Sequence, residues 1–414
     1  MNGYERFLKR RPFCLVAGIL LNLLGGIGYA WSVLVFPLQD KFGWPLALLA
    51  LSYTINSVTM LLANALIVSP IKKRLGIRKT VLAGGLLYGV GIMVCGYVNH
   101  LVLFWLFYSV LSGLGNSLIY PVLISYSQDL YPERSGMASG LMTAGLGLGS
   151  VIWASVANHL ILMFQNVSAA LLVLGAFFLV CIELCALVLQ EIPEGFVQSF
   201  AQTSAEHQLI AEENKTRKEM LRDKRFPVAY LGMLCGCICG TMIITQGSPV
   251  MQTLFGYDAT AAAAAVSIFS ACNTAGRPLW GYAADRLGKL RTMCVIYAIM
   301  VFSMTALSLL KDPLLFTAAM AACLFCFGGV AALVAPVTTE LWGRKHIAEN
   351  YGITFSVFGL SSIVGSPVAA AIFERNGSYR PALILGLAVS ALGLCLFIAL
   401  LIKRIDLKKR IKAV

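Results

Sequence analysis

Of the chain's 414 residues, 58% are hydrophobic and only 12% charged, against about 25% charged in ordinary soluble domains, which excludes a soluble globular protein. The formal net charge of +13 raises the question of nucleic acid, but that role needs basic residues interleaved with aromatics on a soluble face, and none is present. No Gly-x-x-x-x-Gly-Lys loop supports ATP drive, and no nucleophile–base pair or metal cluster projects from the loops, so neither an enzyme nor a cofactor is expected.

Apolar runs of about 18 residues or more, long enough to cross a bilayer, recur along the chain. Twelve spans are predicted, at roughly 13–37, 46–69, 81–98, 101–127, 136–158, 168–190, 226–251, 259–283, 292–309, 314–338, 350–373 and 380–402. The first follows Lys9-Arg10-Arg11 as a signal peptide would. It is too long, lacks a small-residue cleavage site and is followed by further spans, so it is expected to be retained. All but five of the 32 Lys and Arg residues fall on one side of this threading; Lys41, Lys311, Arg375 and Arg380 fall on the other and Arg277 within a span. This bias places both termini in the cytoplasm, in a multi-pass protein of the cell membrane. The cysteines lie mostly inside spans, as in Cys235, Cys237 and Cys239 or Cys323-Leu-Phe-Cys326. They read as buried packing residues rather than metal ligands.

The long polar segment divides the chain. Residues 1–190 form an N-terminal six-helix bundle, 191–225 a cytoplasmic linker with room for a short amphipathic helix, and 226–414 a C-terminal six-helix bundle with a short basic tail. The halves repeat: Arg74-Leu-Gly-Ile-Arg-Lys-Thr80 recurs as Arg286-Leu-Gly-Lys-Leu-Arg-Thr292, shifted by 212 residues, and Gly140 recurs as Gly352. Six-span repeats in the same orientation characterise one large class of carriers, in which substrate binds near the midplane between halves that rock.

Span 8 carries the most informative residue. Arg277 sits in Ser270-Ala-Cys-Asn-Thr-Ala-Gly-Arg-Pro-Leu-Trp280, about 28 Å along the helix from Asp258 and about 12 Å from Asp285 at 1.5 Å per residue. A permanent cation at that depth costs roughly 2.5–3.5 kcal/mol even on the lenient insertion scale. Its planar fork of donors matches a carboxylate. Pro278 removes the partner of the Thr274 carbonyl and favours a kink. Asn273, one turn earlier on the same face, can brace the guanidinium or touch a substrate. Tyr29, Asn56, Tyr120 and Gln246 are polar groups at depths where they can line a cavity, with helix packing an equal alternative. Gly140, Gly145, Gly147 and Gly149 of span 5 read as close helix-packing positions. Glu183 is a carboxylate well inside span 6, open to a role as proton site or as protonated packing residue.

Gly281-Tyr-Ala-Ala-Asp285-Arg286-Leu-Gly288-Lys-Leu-Arg291 resembles the second copy of the signature loop of the major facilitator superfamily. The first copy, Ser69-Pro-Ile-Lys-Lys-Arg74-Leu-Gly76-Ile-Arg78-Lys79, lacks the family's Gly and Asp. The resemblance implies an all-α membrane fold of twelve helices in two pseudo-symmetric bundles. It also implies gating roles for Asp285, Arg286, Gly288 and Arg291, and leaves the N-terminal relay in question. With Gly25-Gly-Ile-Gly-Tyr29-Ala-Trp31, Tyr131-Pro-Glu-Arg134-Ser-Gly136-Met-Ala-Ser-Gly140, Glu349-Asn350-Tyr351-Gly352 and Asn273-x-x-Gly276-Arg277, the chain is similar over roughly residues 10–405 to the oxalate/formate antiporter family and its monocarboxylate-carrier relatives.

That likeness implies that Arg277 binds the substrate carboxylate and that Tyr29 and Tyr120 match aromatics that box it. Oxalate carriers place a lysine in span 11 where this chain has Phe358. One cation and a hydrophobic wall suit a monoanion, so lactate, pyruvate or formate rank above oxalate. The animal proton symporters carry an Asp where this chain has Asn273, leaving proton symport and anion exchange both open. The expected partners are a small organic anion, protons where the transport is proton-coupled, and lipid, with the carrier monomeric. A membrane anion sensor is the competing class, disfavoured by the short linker and tail.

Overall fold

The computed structural model describes residues 3–193, 195–197 and 214–412. Every regular element described is helical. Glu212 and Glu213 of the linker lie outside the described residues.

Each predicted span is occupied by helix. Span 1 is Gly3–Leu24, a tight 3-10 stretch at Gly25–Ala30, and Trp31–Phe42. Spans 2 and 3 are Leu46–Leu66 and Val68–Cys95. Span 4 is Leu101–Phe104 and Ser112–Leu130 joined by a π-helical turn at Trp105–Leu111. Spans 5 and 6 are Ser135–Phe164 and Val167–Val188. In the second half, spans 7 to 10 are Arg225–Phe255, Ala259–Leu287, Lys289–Leu309 and Pro313–Trp342. Span 11 is Ile347–Thr354 followed by Ser356–Asn376, and span 12 is Arg380–Lys412. Ten of these are long and apolar enough to cross a membrane on composition alone. Leu46–Leu66 and Ala259–Leu287 complete the twelve, the latter made more polar by Asn273, Arg277, Asp285 and Arg286.

Helix starts are set by side-chain acceptors for the free N–H groups of the first turn. Asn166, Asp258 and Asp312 cap spans 6, 8 and 10 through Ser168, Ala261 and Leu315. The internal repeat has a shared geometry at its loops. Gly76 and Gly288, 212 residues apart, both adopt positive φ (+76° and +91°), which glycine adopts at no steric cost. Thr80 and Thr292 then donate from Oγ1 to the Gly76 and Gly288 carbonyls at 2.6 and 2.9 Å. The amides that follow each glycine are capped from elsewhere: Ile77 N–H donates to Glu191 at 2.7 Å and Lys289 N–H to Glu340 at 3.1 Å. Glu340 also pairs with Arg404 at 2.9 Å.

The chain clusters into two compact units. One comprises Met1–Pro132, Leu141–Gln208 and Ile347–Phe355; the other comprises Glu133–Gly140, Leu209–His346 and Ser356–Val414. The first residues of spans 5 and 11 are thus counted with spans from the opposite half of the sequence. In the second unit the linker's last residues are clamped to the end of span 10, with Lys215 N–H donating to the Trp342 carbonyl at 2.9 Å and Lys345 N–H to Asn214 at 3.1 Å. A short linker helix follows, Arg217–Arg222, started by a reciprocal Thr216–Glu219 capping box. Asp223 closes the clamp: burial works against its charge, but hydrogen bonds from Arg225 and Lys215 hold its carboxyl well below the usual range.

Helix packing relies on close approach at small residues, since burying apolar surface gives little drive between helices in lipid. In the first unit, Gly84 and Gly115 bring spans 3 and 4 together and Gly89 and Gly175 bring spans 3 and 6 together. A Cβ at Gly115 would stand within 3 Å of Tyr88 N, Tyr88 Cα and the Gly84 carbonyl, all backbone. Gly115→Ala is therefore expected to destabilise the protein by roughly 1–3 kcal/mol, read as a lowered thermal-unfolding midpoint in detergent.

Candidate functional site

Span 8 is assigned as one continuous helix from Ala259 to Leu287 with Pro278 inside it. Arg277 is 8% exposed and Asn273 5% exposed, four residues apart on one helix face. Among the described residues the side-chain oxygen of Asn273 has no hydrogen-bond donor, and it lies toward Gly328 of span 10.

The main chain around this pair is gripped from two sides. Gly276 lies against the Phe325 carbonyl, Gly328 lies against the Asn273 carbonyl, and the Trp280 and Phe325 rings meet at 5.6 Å. On another side Gly140 of span 5 lies on the Arg277 carbonyl and the Pro278 Cα, where any Cβ would collide with backbone. Arg277 therefore extends from a fixed point, the condition for aiming a charged group.

One turn further along, Gly136 and Gly281 make the same kind of backbone contact. There Asp285 accepts Gly136 N–H at 2.7 Å and Met137 N–H at 2.8 Å, with the Lys289 ammonium 3.8 Å away. A carboxylate on the first free amides of a helix is favoured by both hydrogen bonding and the helix dipole. Of the other signature residues, Arg286 rests over the Tyr282 ring at 4.5 Å, Gly288 makes the positive-φ turn, and Arg291 is exposed.

The remaining candidates fall in both units. Gln246 accepts a hydrogen bond from the Tyr379 hydroxyl at 3.0 Å. Phe358 is half-buried just beyond the interruption of span 11, its carbonyl accepting from Ser361 and Ser362 at 2.9 and 3.0 Å. Gln246 and Phe358 belong to the same unit as Arg277, whereas Tyr29, Asn56, Tyr120 and Glu183 belong to the other. Tyr120 is buried with its ring 5.5 Å from that of Phe355, which in turn meets Tyr351 at 5.7 Å. Tyr29 falls in the Gly25–Ala30 stretch, and its side chain is outside the described set. Glu183 packs at the span 3–span 6 contact, one carboxyl oxygen buried beside Gly85 with no hydrogen-bond donor among the described residues. Asn56 donates to the Tyr108 and Ser109 carbonyls at 3.3 and 3.2 Å. Those carbonyls belong to the π-helical turn, where altered register leaves backbone acceptors needing donors.

Sequence reasoning missed one pairing altogether: Lys73 forms a salt bridge with Glu349. The signal was available, because Lys73 stands 212 residues before Asp285.

A sequence profile of the Major Facilitator Superfamily matches residues 15–366. The chain belongs to that superfamily. It is a multi-pass membrane transporter, and the expected twelve-helix fold is confirmed by likeness to solved members. The superfamily transporter FucP in its outward conformation superposes with a TM-score of 0.70 at 15% identity, covering 93% of this chain and 97% of that one. The proton:xylose symporter XylE superposes with a TM-score of 0.73 at 14% identity, covering 94% and 95%. Among sequences, the uncharacterised MFS-type transporter YhjX of Escherichia coli K12 is 26% identical over 360 residues, 87% of each chain. The oxalate:formate antiporter of Oxalobacter formigenes is 26% identical over 379 residues, 89% of this chain and 87% of that one. Human monocarboxylate transporter 12 is 26% identical over 391 residues, 84% and 72%.

Asn56 lends itself to a direct test of support against substrate contact. Asn56→Ala is expected to lower stability by about 1 kcal/mol, the usual scale for a polar contact between membrane helices. Thermal unfolding in detergent should register that loss while substrate binding by the purified transporter stays unchanged.

Proposed function

We propose that this superfamily member is a secondary carrier of small organic monocarboxylates, of the lactate, pyruvate or formate class, working by alternating access. The observation that carries the reading is Arg277, a buried permanent cation on span 8 whose main chain is fixed by glycine contacts and whose neighbour Asn273 shares its face. In this reading Arg277 holds the carboxylate through its fork of donors. Asn273 supports it, Gln246 and Phe358 of the same unit bound the substrate, and the Asp285 loop gates; Tyr29 and Tyr120 are candidate substrate contacts on the family resemblance. The names of two relatives, an oxalate:formate antiporter and a monocarboxylate transporter, point to the same chemical class. The former also favours a second reading, exchange of a dicarboxylate for a monocarboxylate. Transport is either proton-coupled, with Glu183 as the candidate proton site, or anion exchange.

Counterflow in proteoliposomes with labelled lactate, pyruvate, formate and oxalate tests the carrier and ranks its substrates. Hydrogen bonds to a charged partner contribute about 1.5–3 kcal/mol, so Arg277→Ala and Arg277→Lys should weaken substrate binding roughly 10- to 100-fold and abolish measurable counterflow. Retained uptake in both would remove the basis of the proposal. Phe358→Lys adds a second cation, and should raise oxalate transport relative to lactate; an unchanged ratio in the counterflow assay would refute the role given to span 11.

A further inference from the structure

The first copy of the signature loop lacks the acid on which the second copy relies, and the structure shows what stands in its place. Under the 212-residue shift, Asp285 corresponds to Lys73, Gly140 to Gly352 and Gly276 to Asn64. The contacts correspond to within one residue, since Arg277 itself is equivalent to Ala65. Gly140 lies on the Arg277 main-chain carbonyl, and Gly352 lies on the Asn64 carbonyl of span 2. Both glycines allow the opening residues of a helix to rest on another helix's backbone. Asp285 then reaches the start of span 5, and Lys73 pairs with Glu349, which lies in the first turn of Ile347–Thr354.

We propose that Lys73 and Glu349 form a charge-inverted counterpart of the Asp285 latch, holding the start of span 11 against spans 2 and 3 as Asp285 holds the start of span 5 against span 8. The inversion obeys helix electrostatics. Lys73 stands in the last turn before the helix breaks at Gly76, where a cation is favoured, and Glu349 stands in a first turn, where an anion is favoured. Asp285 sits at a helix C-terminal end, where its own helix disfavours it, and depends on the amides of Gly136 and Met137 and on Lys289. The neighbouring Lys72 is engaged elsewhere, donating to Ser125 at 2.9 Å. The two latches also differ in exposure. The Asp285 side chain is 9% exposed, whereas Lys73 is 62% and Glu349 22% exposed. Salt therefore screens the Lys73 latch far more than the other. This assigns a role to the glutamate of the Glu349-Asn-Tyr-Gly352 element, which substrate chemistry leaves unexplained. It draws on the carrier reading only in naming the contact a latch, and no substrate enters its test.

Hydrogen–deuterium exchange on the full-length protein in nanodiscs reads the two latches through peptides covering 347–355 and 133–140. Lys73→Glu, and separately Glu349→Lys, should speed exchange in 347–355 roughly 3- to 10-fold by favouring local opening, with 133–140 unchanged. Lys73→Gln should give a smaller rise in the same peptide. Asp285→Asn should show the reverse pattern. The double exchange Lys73→Glu with Glu349→Lys should bring 347–355 back to within about twofold of the parent, since the attraction is restored with its sign reversed. The unmoved peptide in each variant reports that the fold is intact. If the single charge reversals leave 347–355 unchanged, or the double variant is no better protected than the singles, the proposal is overturned. A misassigned substrate would fail the counterflow assay and leave this pattern untouched.

Discussion

A guanidinium cannot leave its charge behind when its helix enters hydrocarbon, and the geometry around span 8 follows from that constraint. A guanidinium at the centre of a membrane helix costs roughly 2.5–3.5 kcal/mol on the lenient scale, so one inside a span needs surroundings stiff enough to keep it from snorkelling to water. Three glycines meet that need with no side chain at all. Gly140, Gly276 and Gly328 let spans 5, 8 and 10 touch backbone to backbone at the level of Asn273 and Arg277. In this arrangement the backbone contacts set where the Arg277 side chain starts from, and its own rotamers set where it reaches.

The internal repeat separates what a scaffold requires from what chemistry requires. Gly76 and Gly288, Thr80 and Thr292, Gly140 and Gly352 keep the same residue type and equivalent geometry in both copies. Charge is kept at some positions, Arg74 and Arg286 or Lys79 and Arg291, but not at two that matter here: Asp285 stands where Lys73 does in the first copy, and Arg277 where Ala65 does. Turns and close crossings admit few residue types, so they stay fixed. A charge can be moved, inverted or dropped once a partner of suitable sign stands within reach.

That distinction explains how much could be read before any coordinates. The twelve spans were legible because bilayer thickness imposes a length and hydropathy that local sequence must meet. Span 8 was legible despite its polar residues, since Asp258 and the Asp285 loop bracket it. Arg277 and Asn273 were legible as one face because four residues make one turn. Asn56 looked like a cavity residue because its real partners, the Tyr108 and Ser109 carbonyls, are freed by a π-helical turn that no local pattern announces. The caps from Glu191 to Ile77 and from Glu340 to Lys289 span separations that only tertiary structure brings close. The clustering of 133–140 and 347–355 with spans from the opposite half was hidden for the same reason. Division at the polar linker sees covalent order, not packing.

Charge balance gives the carrier reading its selectivity argument. A transporter must reorient with its cargo through a low-dielectric layer, where each uncompensated charge carries a heavy desolvation penalty. Span 8 carries Arg277, whereas the sequence has Ala65 at the equivalent position of span 2 and Phe358 in span 11, so the proposed reading works with one guanidinium. A monocarboxylate neutralises it, so the loaded site crosses as a compensated pair. A dicarboxylate leaves one negative charge over, which is why the proposed reading ranks lactate, pyruvate or formate above oxalate. Asn273, unlike an aspartate at that position, cannot carry a proton beside Arg277, so in the proposed reading a proton-coupled cycle places that proton on Glu183, while anion exchange requires no such group.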